Sequence, residues 1–230
     1  VEALARRMES LQRESYEPIP TAEPKEYYPM SSVQKRIYLV SQMDEKGILY
    51  NMAQGIELSG QVEKEELEHA LSQMIARHEI LRTAFIMIDG DPVQKILENG
   101  KTDFTYTEDS TSTKEELLHA FIKPFDLASG CLVRMQLVKR EKNYLLMFDL
   151  HHIVTDGMST GRFIKEFMAL YNKETLADDI RQYKDYSEWM RTKELSIQRN
   201  YWLHEFEGKI PVLELPLDKK RPSERSYHGT

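Results

Sequence analysis

Two adjacent histidines, followed at a short fixed interval by an aspartate and a glycine, offer the most chemistry in this 230-residue chain: His151-His152-Ile153-Val154-Thr155-Asp156-Gly157. They close an apolar run from Tyr144 that reads as a β-strand, and successive strand residues point to opposite faces of a sheet. Only one of the pair can therefore serve a given cleft. His152 shares its face with Phe148 and Leu150, a setting that favours a neutral imidazole able to accept a proton. His151 shares its face with Asp149, a hydrogen-bond partner two residues back. Asp156 and Gly157 make a strand-to-helix turn, where a carboxylate fixes geometry and a glycine lets a substrate approach the backbone. The helix beginning there offers free N–H groups to a developing negative charge. A plainer reading stays open beside this one: two satisfied sheet histidines, with Asp156 the N-cap of the next helix. Adjacent strand residues facing opposite ways cannot chelate one metal ion, no third ligand stands nearby at helical spacing, and no G-x-S-x-G elbow supports a serine hydrolase.

The elements that must position these residues can be read in order. Val1, Leu4, Met8 and Leu11 fall on one helical stripe, and the four prolines from Tyr16 to Pro29 then make a linker. A helix starts at Ser31 or Ser32, and a strand covers Asn51 to Leu58. Leu67, Ala70, Leu71, Met74 and Ile75 give a helix over Glu63 to His78, with acidic residues in its first turns. Thr83 to Ile88 and Val93 to Leu97 form a hairpin around Asp89-Gly90-Asp91-Pro92, and a strand follows near Asp103 to Thr107. Ser112 and Glu115 have the spacing of a capping box for a helix that Pro124 ends. A second hairpin joins Cys131–Val138 to Tyr144–Ile153, and the later strand, apolar throughout, is central. Helices then cover Gly157 to Tyr171, Tyr183 to Lys193 and Ile197 to Phe206, before an extended tail from Pro211. The sum is an α/β chain, a mixed sheet with flanking helices.

Composition narrows the classes. With 40% apolar and 30% charged residues the chain is an ordinary globular protein that can bury a real core. A net charge of −7 argues against a nucleic-acid surface, and Lys219-Lys220-Arg221 reads as a solvated loop. No apolar run of about 18 residues spans a membrane, and VEALARRMES lacks the core of a secretory signal. The single cysteine, Cys131, excludes an internal disulfide framework, fits a reducing cytoplasmic setting and is expected to be buried.

The stretch Leu150 to Ser159 resembles the HHxxxDG core of the condensation domains of nonribosomal peptide synthetases, shared with chloramphenicol acetyltransferase and related acyltransferases. Three further stretches resemble other condensation motifs in the right order: Ser31 to Tyr38, Arg77 to Phe85, and Tyr183 to Trp189. Val1 to Arg7 also resembles the last helix of a carrier protein. The resemblance implies a helix of an upstream carrier over residues 1–14, a linker over 15–27, and over 28–230 one chloramphenicol acetyltransferase-like lobe, half of a two-lobe domain.

It also implies amide formation. A donor acyl or peptidyl thioester on one carrier protein is attacked by the α-amine of an aminoacyl thioester on another, with His151, His152, Asp156 and Gly157 at the site. His152 holds the amine and takes its proton, or merely orients it; the Gly157 N–H helps stabilise the oxyanion. Asp156 bonds to an arginine expected in the second lobe, while Arg77, Arg82 and Arg36 fix helix and sheet ends through charge-assisted hydrogen bonds. Tyr183, Tyr186 and Trp189 are packing residues. The chain itself binds no cofactor or metal, since its substrates ride on the phosphopantetheine arms of donor and acceptor carriers. Its other partners are the C-terminal lobe and an adjacent adenylation domain, with no nucleic acid or membrane. The stretches 91–97 and 125–159 look most like the subtype joining an L-configured donor to an L-configured acceptor, and the fragment alone is expected to have little or no activity. An epimerisation domain, a coenzyme A-dependent acyltransferase and a noncatalytic carrier-docking module are the alternatives; the heterocyclisation subtype carries Asp where His151 stands.

Overall fold

The structure, a computed structural model, is described for residues 17–44, 46–178, 181–213, 216–217 and 219. The carrier-like helix expected over 1–14 and most of the tail after Pro211 lie outside the described residues.

Residues 17–27 run without regular structure into a short strand, β1 (Tyr28–Pro29), as the prolines dictate. Helix α1 (Ser32–Ser41) begins on a full capping box, in which the Ser31 hydroxyl accepts from the Gln34 amide and the Gln34 side chain accepts from the Ser31 amide. Strand β2 (Gln54–Leu58) is shorter than its sequence suggests, and Asn51 stands apart from it as an isolated bridge to His151. Helix α2 (Lys64–Arg77) buries the predicted stripe of Leu67, Ala70, Leu71, Met74 and Ile75. A 3₁₀ turn (Glu79–Arg82) leads into the hairpin β3 (Thr83–Ile88) and β4 (Asp91–Ile96). Its two-residue loop, Asp89-Gly90, takes positive φ at both positions (50° and 85°), the conformation that matches strand twist in a tight hairpin.

Strand β5 (Phe104–Glu108) precedes α3 (Lys114–Phe121). The capping box of α3 is Thr113 with Glu116, one residue later than Ser112 with Glu115. Ser112 is held back because Asp109 accepts hydrogen bonds from its amide and hydroxyl, closing a turn that shifts the helix start. Strands β6 (Val133–Lys139) and β7 (Tyr144–Leu150) form the second hairpin. Helices α4 (Gly157–Tyr171), α5 (Tyr183–Thr192) and α6 (Ser196–Glu205) complete the described elements. No residue of α6 is buried.

The strands divide into two sheets. A small antiparallel one has the order β1-β4-β3; the larger has the order β2-β7-β6-β5, antiparallel except for the parallel β5–β6 pair. Strand β7 is central, as its apolar sequence requires. One face of the larger sheet, with Leu146, Phe148 and Leu150, packs on α2 and α4 in the main core, which Phe85 joins from the small sheet and Met30 from just after β1. The opposite face, with Leu145, Met147 and Val138, is covered by Phe121, Leu117 and Leu118 of α3. Tyr183, Tyr186 and Trp189 form a ladder with ring centroids 5.6 and 6.2 Å apart but are only half-buried, whereas Asp185 and Ser187 beside them are buried. Asp185 is buried because it accepts from the amides of Ala22 and Gln182, tying the N-terminal coil to α5. Cys131 is half-buried rather than buried, its thiol donating to the Lys101 carbonyl. No helix among the described residues is long and apolar enough to cross a membrane.

Leu71 is fully enclosed between α2 and the main core. Leu71→Ala is expected to destabilise the chain by about 2–5 kcal/mol, seen as a lower urea midpoint with an unchanged slope.

Candidate active site

The backbone of the histidine turn is clamped from both sides. The Leu150 carbonyl accepts from the Met52 amide (2.9 Å), the His151 amide donates to the Leu132 carbonyl (3.1 Å), and the His152 amide donates to the Tyr50 carbonyl (2.8 Å). Val154 then donates to the His151 carbonyl (3.0 Å), closing a turn over residues 151–154. Ladder pairing with β6 ends at Leu150, so the strict face alternation of β7 does not carry on to His152.

The two histidines have unlike surroundings. His151 is buried at 3% exposure between the rings of Tyr50 (6.0 Å) and Phe125 (6.1 Å). Its Nδ1 accepts from the Ile153 amide (3.2 Å). Burial, then the neighbouring His152, push its pKa down to about 4. His152 is exposed, with Tyr50 edge-on at 6.3 Å. The apolar setting expected at His152 is found at His151 instead, because the turn lifts His152 out of the face that holds Phe148 and Leu150.

Asp149 does not bond His151 as the spacing suggests. It sits fully buried, directly across the hairpin from Arg134, accepting from the Asn51 side-chain amide (2.6 Å) with the Arg134 guanidinium at 3.8 Å. Asn51 also donates to the Lys123 carbonyl, and Arg134 donates to the Pro124 carbonyl while lying 3.7 Å over the Phe125 ring. Desolvation outweighs these partners and raises Asp149 to about 6. Tyr50, Asn51, Phe125 and Arg134 were not singled out from sequence. The signal was there for Arg134: a cation at the start of one apolar strand and the lone carboxylate of the next fall opposite each other once the hairpin register is set.

Asp156 caps α4, accepting from the Ser159 amide at 2.7 Å; that bond, then one with the Ser159 side chain, holds its carboxyl below the usual range. No arginine bonds it among the described residues. Gly157 has ordinary φ, and a Cβ built there would meet no atom within 4 Å. Its space lies open to whatever approaches the turn. Arg77 donates to Glu166 (3.2 Å) and to the Ala177 carbonyl, and Arg82 donates to the Leu97 carbonyl, so both tie neighbouring segments together. Arg36 donates to the Ser32 carbonyl within its own helix. The structure thus brings His151, His152, Asp156 and Gly157 into one turn and leaves Arg77 and Arg82 as ties around it.

The chain belongs to the condensation-domain family, which matches it over residues 25–230. It is 40% identical to tyrocidine synthase 2 of Brevibacillus parabrevis over its whole length, which is 6% of that protein. It is 42% identical to bacitracin synthase 3 of Bacillus licheniformis across 96% of its length and 4% of that one. Among solved structures, the X-domain from teicoplanin biosynthesis matches with a TM-score of 0.78 at 24% identity, covering 90% of this chain and 49% of that one. The condensation domain of the monacolin K polyketide synthase matches with a TM-score of 0.72 at 20% identity, covering 84% and 45%. The chain thus spans about half of these solved chains and a small part of the synthetases.

The two buried titrations act on stability with opposite signs. His151, depressed below its free value near 6.5, binds fewer protons folded than unfolded, so its contribution rises with pH from about 4 to 6.5. Asp149, raised from 3.8 to about 6, binds more protons folded, so its contribution falls across about 4 to 6. Asp149→Asn removes only the falling part. The stability difference, variant minus parent, is expected to grow with pH between 4.5 and 6 in urea titrations; a constant difference would contradict a raised Asp149.

Proposed function

We infer that this lobe supplies the histidine side of an amide-forming condensation site in nonribosomal peptide synthesis. The observation that carries this reading is an exposed His152 on a turn pinned at 2.8 Å to the Tyr50 carbonyl, next to a glycine with empty space over its Cα and at the start of α4. The α-amine of a carrier-bound aminoacyl thioester attacks the thioester carbonyl of a second carrier's acyl or peptidyl group. A C–N bond forms and the C–S bond breaks, and the amine proton passes to His152 and from it to the departing thiolate, so that the donor arm leaves as the thiol. The Gly157 N–H, free at the first turn of α4, faces the developing oxyanion. Thioester aminolysis gains most from alignment, so a fixed turn suits the task whether His152 takes the proton or orients the amine. His151 acts through position: it is buried, neutral and bonded to Ile153, holding the turn from behind.

The reading includes an L-configured donor and acceptor, substrates carried on phosphopantetheine arms with no cofactor held by this chain, and donor and acceptor carriers, a second lobe and an adenylation domain as partners in the cytoplasm. It assigns the isolated lobe little activity, because one wall cannot hold two carrier arms.

The test is single-turnover peptide formation by the complete domain with loaded donor and acceptor carriers. His152→Ala is expected to lower the rate about 10²–10⁴-fold with unchanged circular dichroism. Undiminished product would leave the lobe a scaffold. Gly157→Ala is expected to fold with equal or slightly greater stability, since none of the described residues opposes a Cβ there. The same change should nevertheless slow amide formation at least tenfold; an unaffected rate would remove the glycine from the site.

A further inference from the structure

A cavity of about 410 Å³ opens beside the histidine turn. Its floor is apolar, built from Met74, Leu81, Leu150 and Phe163, and its wall is completed by Val154 and Thr155 of the motif itself. Val154 is two residues from His152, which puts their Cα atoms within about 7.6 Å. That is within reach of an amino-acid side chain whose carbonyl stands at His152. The volume lies at the small end of the roughly 300–1,000 Å³ of ligand pockets and is ample for an amino-acid side chain.

The rim has a sign. Arg162, on α4, and His78, both lining the cavity, converge on the buried Glu166 carboxylate at 2.8 and 2.6 Å, and Arg77 reaches it at 3.2 Å. Burial alone would raise Glu166, but hydrogen bonds from Arg162, His78 and Arg77 hold it near 2, so one negative charge faces at least two positive ones. A cationic side chain entering here would lose its hydration over an apolar floor and meet a positive rim. An apolar one would gain from burial.

Building on the condensation reading, we propose that this cavity is a side-chain subsite for one of the two thioester substrates, accepting aliphatic or aromatic residues and rejecting basic ones. The donor and the acceptor present the same chemistry to it, and the experiment separates them. Ile80 is half-buried in the cavity wall, so Ile80→Phe narrows the cavity without touching the Asp156–Ser159 cap; Arg162→Glu, whose side chain is 69% exposed, reverses the rim.

The complete domain is assayed with alanyl, leucyl and lysyl groups loaded in turn on each carrier. Ile80→Phe is expected to lower kcat/KM for leucyl about tenfold or more while sparing alanyl, on one carrier only, which identifies the occupant. Arg162→Glu is expected to raise kcat/KM for lysyl on that same carrier. Equal losses for alanyl and leucyl, or none on either carrier, would overturn the subsite. Calorimetric titration with leucyl- and alanyl-pantetheine amides reads the cavity without chemistry. If the parent makes no amide, the condensation reading fails, and a leucyl preference lost in Ile80→Phe still sustains the subsite, whereas no preference overturns it.

Discussion

The backbone of β7 is bonded on both edges, and the rest of the site depends on that. With β6 on one side and β2 on the other, the strand has no freedom to slide, and its end must deliver His151 and His152 at one height above the sheet. A one-residue slip would exchange the faces of Phe148 and Asp149, placing a carboxylate against α2 and α4 and a ring beside Arg134. The buried Arg134–Asp149 pair makes that slip costly. It adds little net stability, since desolvation of both ions offsets their attraction, but it penalises every register except the one that pairs them.

Around this strand, the work is divided by layer. Helices α2 and α4 bury the even-numbered residues of β7 and hold the cavity, while α3 and the segment after it cover the odd-numbered ones and enclose His151. The histidine that is chemically quiet is thus the one that is packed, and the one that can meet a substrate is the one the turn exposes. Asp156 ends the strand-to-helix turn with its own cap, so the plain structural role of that carboxylate and the functional role of its neighbours are parts of a single device.

Much of this was legible beforehand. The apolar run of β7 identified a central strand, the α2 stripe identified its buried face, and the four motif stretches identified the family. Local chemistry was read less well where two capping signals overlapped: Ser112 and Thr113 are both good caps, and the choice fell to Asp109, whose turn captures the first. The exchange of roles between His151 and His152 was not legible, because alternation predicts faces only while pairing lasts. The clamp from Tyr50 to Met52 was also out of view, since a backbone carbonyl leaves no trace in residue type.

That clamp has a cost in time. Asn51 and Asp149 lie 98 residues apart, whereas β6 and β7 meet across a turn of a few residues. Loop-closure entropy must be met before any bond between β2 and β7 is gained, so the hairpin is the local, early part of the sheet and the β2 edge the late one. On a chain emerging in order from the ribosome, the segment from Tyr50 to Met52 waits without its partner until Leu150 and His152 exist. The histidine turn acquires its shape last, by closing the longest circuit in the larger sheet.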